Sequence, residues 1–117
     1  MSAADIAIAC ADTKFCFTET KIGLVPAQIL PFVMERIGTK TARRLMLAAE
    51  RFSADEALRI GLVDFVEPDM ASLRLRLITV LDNIGACAPN AVMATKQLSY
   101  RKGWDQSDQG LSDLLDV

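Results

Sequence analysis

The stretch from Phe15 to Pro31, FCFTETKIGLVPAQILP, constrains this chain more than any other. An apolar strand leads into it, fixing the backbone as far as Thr18. Gly23 then permits a positive φ or a close approach, and Pro26 stiffens the turn. Pro31 suits the first turn of a helix, where its missing N–H costs nothing. Glu19 stands at the exit of the strand. Beside Phe15, Phe17, Ile22 and Leu24 its carboxylate would lose solvation, the condition that suits a carboxyl group to proton transfer. On spacing alone, a solvated surface glutamate is the commoner fate of such a residue.

The remaining elements follow from local patterns. Ile6 to Cys10 is a near-continuous apolar run, which predicts a strand buried on both faces. Asp12 and Thr13 make a turn, and Lys14 to Thr18 gives a second strand with Phe15 and Phe17 on one face. Phe32, Val33, Met34 and Ile37 line a helix that Gly38 ends. Thr39 is placed to cap the next helix, where Ala42, Leu45, Met46 and Ala49 follow the i, i+3, i+4, i+7 spacing of a core face. Lys40, Arg43 and Arg44 fall mostly on its polar side. Such a cluster either meets a phosphate or is a solvated face, and the solvated face is the better reading.

Ser53 and Glu56 have the spacing of a capping box, with Gly61 closing that helix. Leu62 to Val66 reads as a short extended segment. Asp69 caps a longer helix whose Met70, Leu73, Leu77, Val80, Leu81 and Ile84 form an apolar stripe, with Gly85 as its stop. Pro89 opens a helix through about Tyr100. Trp104 lies in a polar stretch, and Ser107 is placed to cap a last helix carrying Leu111, Leu114 and Leu115.

The chain has no histidine, and its three cysteines, Cys10, Cys16 and Cys87, form no C-x-x-C pair. A zinc site and Ser-His-Asp or Cys-His catalysis are therefore excluded, and buried cytosolic thiols are expected. A net charge of −2 offers no field for nucleic acid or an anionic membrane, and no apolar run reaches membrane-spanning length. Hydrophobic residues make up 51 % of 117, with a mean hydropathy of +0.25. That is high for a small monomer, so an apolar face turned toward a partner is expected.

Ala4-Asp5-Ile6-Ala7-Ile8-Ala9, followed by Phe15-x-x-x-Glu19-x-x-x-Gly23-Leu24-x-Pro26, resembles the middle of the enoyl-CoA hydratase/isomerase (crotonase) superfamily. Arg51-Phe52-Ser53-Ala54-Asp55-Glu56-Ala57-Leu58-Arg59-Ile60-Gly61-Leu62-Val63-Asp64 resembles a signature segment between two of its helices. Ala88-Pro89-Asn90-Ala91 with Lys96 resembles the opening of its late helix. The variant Pro26-Ala27-Gln28-Ile29-Leu30-Pro31 is similar to hydratases acting on branched glutaconyl-type CoA esters.

This resemblance implies an α/β chain corresponding to the C-terminal half of a crotonase, with two or three short strands followed by mostly α-helices. It is expected as one domain over 1–117, with strands and site turn in 4–31 and a helical region in 31–117. The resemblance implies that Glu19 is the catalytic acid or base, and that Gly23, Leu24, Pro26, Gln28 and Lys96 contact substrate. The implied substrate is a CoA thioester, and no metal or separate cofactor is expected. The expected assembly is a homo-oligomer, a trimer or paired trimers, in the cytoplasm, with no nucleic-acid or membrane partner.

The resemblance implies that the oxyanion-hole amides and the second acid come from a segment before the matched strand, so this sequence is expected to lack them. Losing one oxyanion donor costs about 2.7–4 kcal/mol, so weak or undetectable hydration by the chain alone is expected. The alternative is a non-catalytic module derived from a crotonase that self-associates or docks on a partner.

Overall fold

The computed structural model describes residues 4–100. Short strands come early and helices dominate afterwards, in an α/β arrangement. The strands are β1 (Ile8–Cys10), β2 (Lys14–Phe15), β3 (Phe52–Ser53) and β4 (Phe65–Glu67). The helices are α1 (Leu30–Ile37), α2 (Thr39–Ala48), α3 (Ala54–Ile60), α4 (Met70–Gly85) and α5 (Pro89–Tyr100), and a 3-10 turn spans Glu19–Ile22. Two compact units meet at the Leu77–Ile78 bond inside α4. Among the described residues, no single helix is long and apolar enough to cross a membrane. Trp104, Ser107, Leu111, Leu114 and Leu115 lie outside the described residues.

In the first unit, β1 pairs in parallel with β4, Ile8 opposite Phe65 and Cys10 opposite Glu67. β2 pairs antiparallel with β3, Phe15 opposite Phe52. Those two rings stack at 5.5 Å, and Phe17 reaches the same Phe52 ring at 6.2 Å. The first strand is shorter than the apolar run suggests. Ala7 and Ala9 are buried while Ile8 and Cys10 are only half-buried and Ile6 is exposed. One face of β1 therefore meets the core, where burial on both was expected. The strand β3 has only two residues, too few to show a period.

The core lies between α1, α2, α3 and the strands. Val33, Leu45, Leu62 and Val63 are fully enclosed. Each such side chain contributes about 1.5–3 kcal/mol relative to exposure. The expected α2 face is realised, with Ala42, Leu45, Met46 and Ala49 all buried. Pro31 sits in the first turn of α1 as expected. Gly38 caps both α1 and α2 with φ 86° and ψ 156°, so Thr39 is the first helical residue and not the cap. Ser53 Oγ accepts from the Glu56 amide at 3.2 Å, but the Glu56 carboxylate turns to Arg59 instead of completing the box. Asp69 caps α4, accepting from the Ser72 amide at 2.7 Å.

No residue of α4 is buried. Of its apolar stripe, Leu73 and Val80 are half-buried, while Met70, Leu77, Leu81 and Ile84 are exposed. In the second unit α5 begins at Pro89 as expected, and Ala94 is its one buried residue among those described. The cysteines are free thiols. Cys87 is exposed, and Cys10 and Cys16 are half-buried, so the expectation of three buried thiols is corrected.

Candidate active site

Glu19 opens the 3-10 turn that follows β2. The turn closes on Gly23, whose φ of 79° and ψ of 18° place it in the left-handed region. A Cβ there would meet nothing within 4 Å, so conformation and not space calls for glycine. The Leu24 amide returns to the Glu19 carbonyl at 2.9 Å, fixing the backbone that carries the carboxylate. Thr20 Oγ1 donates to the Met46 carbonyl at 2.8 Å and ties the turn to α2.

The Glu19 side chain is half-buried, and its Oε2 atom is shielded from solvent with no hydrogen-bond partner among the described residues. Buried polar atoms are nearly always partnered, so such an orphan points to a group that the structure leaves for something else to satisfy. Ile22 and Leu24, expected to crowd the carboxylate, are themselves largely exposed.

Next to the turn runs an open groove of about 360 Å³. Thr20, Leu24, Val25 and Pro26 form one side of it. Leu30 and Met34 come from α1, one turn apart, and Thr39, Arg43, Met46 and Leu47 from one side of α2. Of the residues expected to contact substrate, Leu24 and Pro26 line the groove; Gln28 is exposed in the turn before α1, and Gly23 shapes the backbone. Lys96 belongs to the second unit, where its ammonium lies 6.0 Å from the Tyr100 ring centre.

The helical wall was not foreseen as a binding surface. Its signal is the i, i+4 spacing of Leu30 with Met34, and of Thr39, Arg43 and Leu47. The groove's polar groups are Thr20, Thr39 and Arg43, and no carboxylate lines it.

A family model described as enoyl-CoA hydratase/isomerase matches residues 1–112. (E)-benzylidenesuccinyl-CoA hydratase of Thauera aromatica is 40 % identical over 100 residues, covering 81 % of this chain and 37 % of that protein. Enoyl-CoA hydratase AFT6-1 of Alternaria alternata is 32 % identical over 115 residues, covering 97 % and 39 %. The solved structure of Pseudomonas aeruginosa AtuE superposes with a TM-score of 0.86 at 47 % identity, covering 96 % of this chain and 43 % of that one. A Thermobifida fusca YX structure in complex with acetoacetyl-CoA gives a TM-score of 0.86 at 25 % identity, covering 98 % and 46 %. The chain thus spans about two-fifths of the length of these relatives. Its strand-and-turn geometry and its match over nearly all residues agree: the chain belongs to the enoyl-CoA hydratase/isomerase family.

Proposed function

We propose that this chain supplies the proton-transfer carboxylate and one acyl-binding wall of a CoA-thioester hydratase or isomerase site. Glu19 is the group that moves a proton at the substrate carbons, and the groove from Leu24 to Leu47 takes the acyl portion. The buried, unpartnered Oε2 atom of Glu19 carries this reading, because a bound substrate or its attacking water offers the missing hydrogen-bond donor. The hydratase relatives and the acetoacetyl-CoA held by the Thermobifida fusca protein support the substrate class.

Turnover by the 117-residue chain is weak in this reading. No carboxylate lines the groove, so Glu19 meets no second acid there, and the oxyanion donors that the family uses are expected from outside this chain. Each missing donor costs about two to three decades in rate. The test is hydration of crotonyl-CoA by the purified chain, followed as loss of the enoyl-thioester absorbance, beside a binding titration. Measurable binding with slow hydration that Glu19→Gln removes is the expected result. No acyl-CoA binding, or a rate unchanged in Glu19→Gln, overturns the assignment.

One observation favours a second reading, a self-associating module. Leu75, Ile78 and Leu81 of α4 are each more than half exposed, at 66 %, 54 % and 56 %. A self-association, read by sedimentation, that Leu75→Glu with Ile78→Glu abolishes would support it, and a monomer at all concentrations would dismiss it.

A further inference from the structure

A helix leaves its last four carbonyls without an intrahelical partner. Two of those at the end of α2, on Met46 and Ala49, are taken by side chains of one short segment. Cys16 Sγ donates to the Ala49 carbonyl at 3.1 Å, and Thr20 Oγ1 donates to the Met46 carbonyl at 2.8 Å. Glu19 lies between the two donors in the chain. Ahead of them, the Phe15 and Phe17 rings on either side of Cys16 both pack on Phe52.

Ala49 itself is unusual. It caps α2 with φ 48° and ψ 37°, a left-handed conformation that a residue with a Cβ seldom adopts. Such a backbone persists where its surroundings hold it, and the Cys16 thiol is one of the groups that does so here. The seat matters to Glu19 because its Oε2 atom is shielded from solvent and unpartnered among the described residues. If the segment lifted from α2, water would reach that oxygen and its direction would be lost. Resting on the proton-transfer reading above, we infer that Cys16 is a positioning residue: with Thr20 it clamps both sides of Glu19 to the end of α2. The thiol takes no part in moving the proton. As an S–H donor it is the weaker of the two anchors.

The experiment follows amide hydrogen exchange by NMR in the full chain. The Leu24 amide, bonded to the Glu19 carbonyl, reports opening of the turn, and the Leu62 amide, bonded to the Ala57 carbonyl, reports the core. Cys16→Ala is expected to speed exchange at Leu24 about two- to threefold, and Thr20→Val about fivefold. The double variant should reach about tenfold or more, since the turn opens only when both anchors release. Cys16→Ser keeps a donor and should restore most of the protection. Exchange at Leu62 should not follow. The rate at saturating crotonyl-CoA should fall in the same order and recover in Cys16→Ser. An unchanged Leu24 amide in Cys16→Ala, a loss that serine does not rescue, or equal acceleration at Leu62 overturns the inference. The exchange measurement needs no turnover, so the two ideas fail separately. Clamping without Glu19-dependent hydration keeps the anchor and sinks the reaction; Glu19-dependent hydration with exchange untouched by Cys16→Ala does the reverse.

Discussion

Thr20 Oγ1 and the Met46 carbonyl, 2.8 Å apart, join the turn that bears Glu19 to the helix that bears Arg43. Met46 is buried, so the turn is anchored to the core of the first unit. Thr20→Val keeps the shape and deletes the donor, leaving a carbonyl without this partner. The expected loss is about 1 kcal/mol in urea unfolding. If the groove takes the acyl group as proposed above, acyl-CoA affinity should fall as well, because the groove loses a fixed wall. A variant with unchanged stability and unchanged affinity would show that the bond does not position the turn.

Arg36 plays a different part. Its Nε donates to the Leu62 carbonyl at 2.6 Å, and its second terminal nitrogen meets Asp64 Oδ2 at 2.8 Å. The third donor reaches the Ala4 carbonyl. Asp64 Oδ2 also accepts the Ala7 amide at 2.8 Å, so Arg36 holds α1 to the segments that enter both parallel strands, at one end of the β1–β4 pair. At 11 % side-chain exposure the cation is poorly screened. Arg36→Met should cost about 1.5–3 kcal/mol in urea unfolding. Arg59, on the surface beside Glu56, should matter far less when changed to Ala. Equal losses for the two variants would mean that the node is no more than a surface ion pair.

Gly61 and Gly23 separate two reasons for glycine. Both have positive φ, 87° and 79°. A Cβ at Gly61 would lie 3.3 Å from the Arg36 carbonyl oxygen, whereas one at Gly23 meets nothing within 4 Å. Gly23→Ala should therefore cost about 1–2 kcal/mol from backbone conformation alone. Gly61→Ala should cost more, by the displacement of the α1 carbonyl. Thermal unfolding of the pair checks the order, and a reversed order would refute the steric argument.

The parts legible in sequence are those set by near neighbours. Ser53 before Glu56, Asp69 before Ser72, Gly61 after α3 and Pro89 before α5 each announce a helix boundary through a local hydrogen bond or a fixed φ. The α2 core face follows from its spacing. The β1–β4 and β2–β3 pairs are hidden, because strands of two or three residues carry almost no period and are placed by partners far along the chain, as Lys14 is by Ser53. Glu19, Leu24 and Pro26 could be singled out from the turn itself. Met34 and Leu47 could not, and Arg43 reads only as part of a solvated or phosphate-meeting cluster, since their shared wall exists only once α1 packs on α2 beside that turn. The α4 stripe is plain as a pattern, yet a pattern does not say that Met70, Leu77, Leu81 and Ile84 stay exposed.

Two carboxyl groups should make the first unit sensitive to acid. The hydrogen bond from Arg59 holds Glu56 below its ordinary value of 4.5; desolvation opposes it, and the charges of Arg59 and Arg44 assist. Hydrogen bonds from the Ser72 amide and hydroxyl hold Asp69 below its ordinary 3.8. Both groups bind a proton less readily folded than unfolded. Their contribution to stability is therefore complete above the unfolded values and is lost as pH falls through the lower, folded ones. Urea midpoints should be flat between about pH 7 and pH 5.5 as far as these groups are concerned, and should fall below about pH 4.5. In the double variant Glu56→Gln, Asp69→Asn the midpoint should start lower near neutrality and decline less steeply in acid. Curves that run parallel for the two proteins from neutrality to pH 3 would show that other carboxylates control the acid transition, and that neither the α3 pair nor the α4 cap responds to protonation.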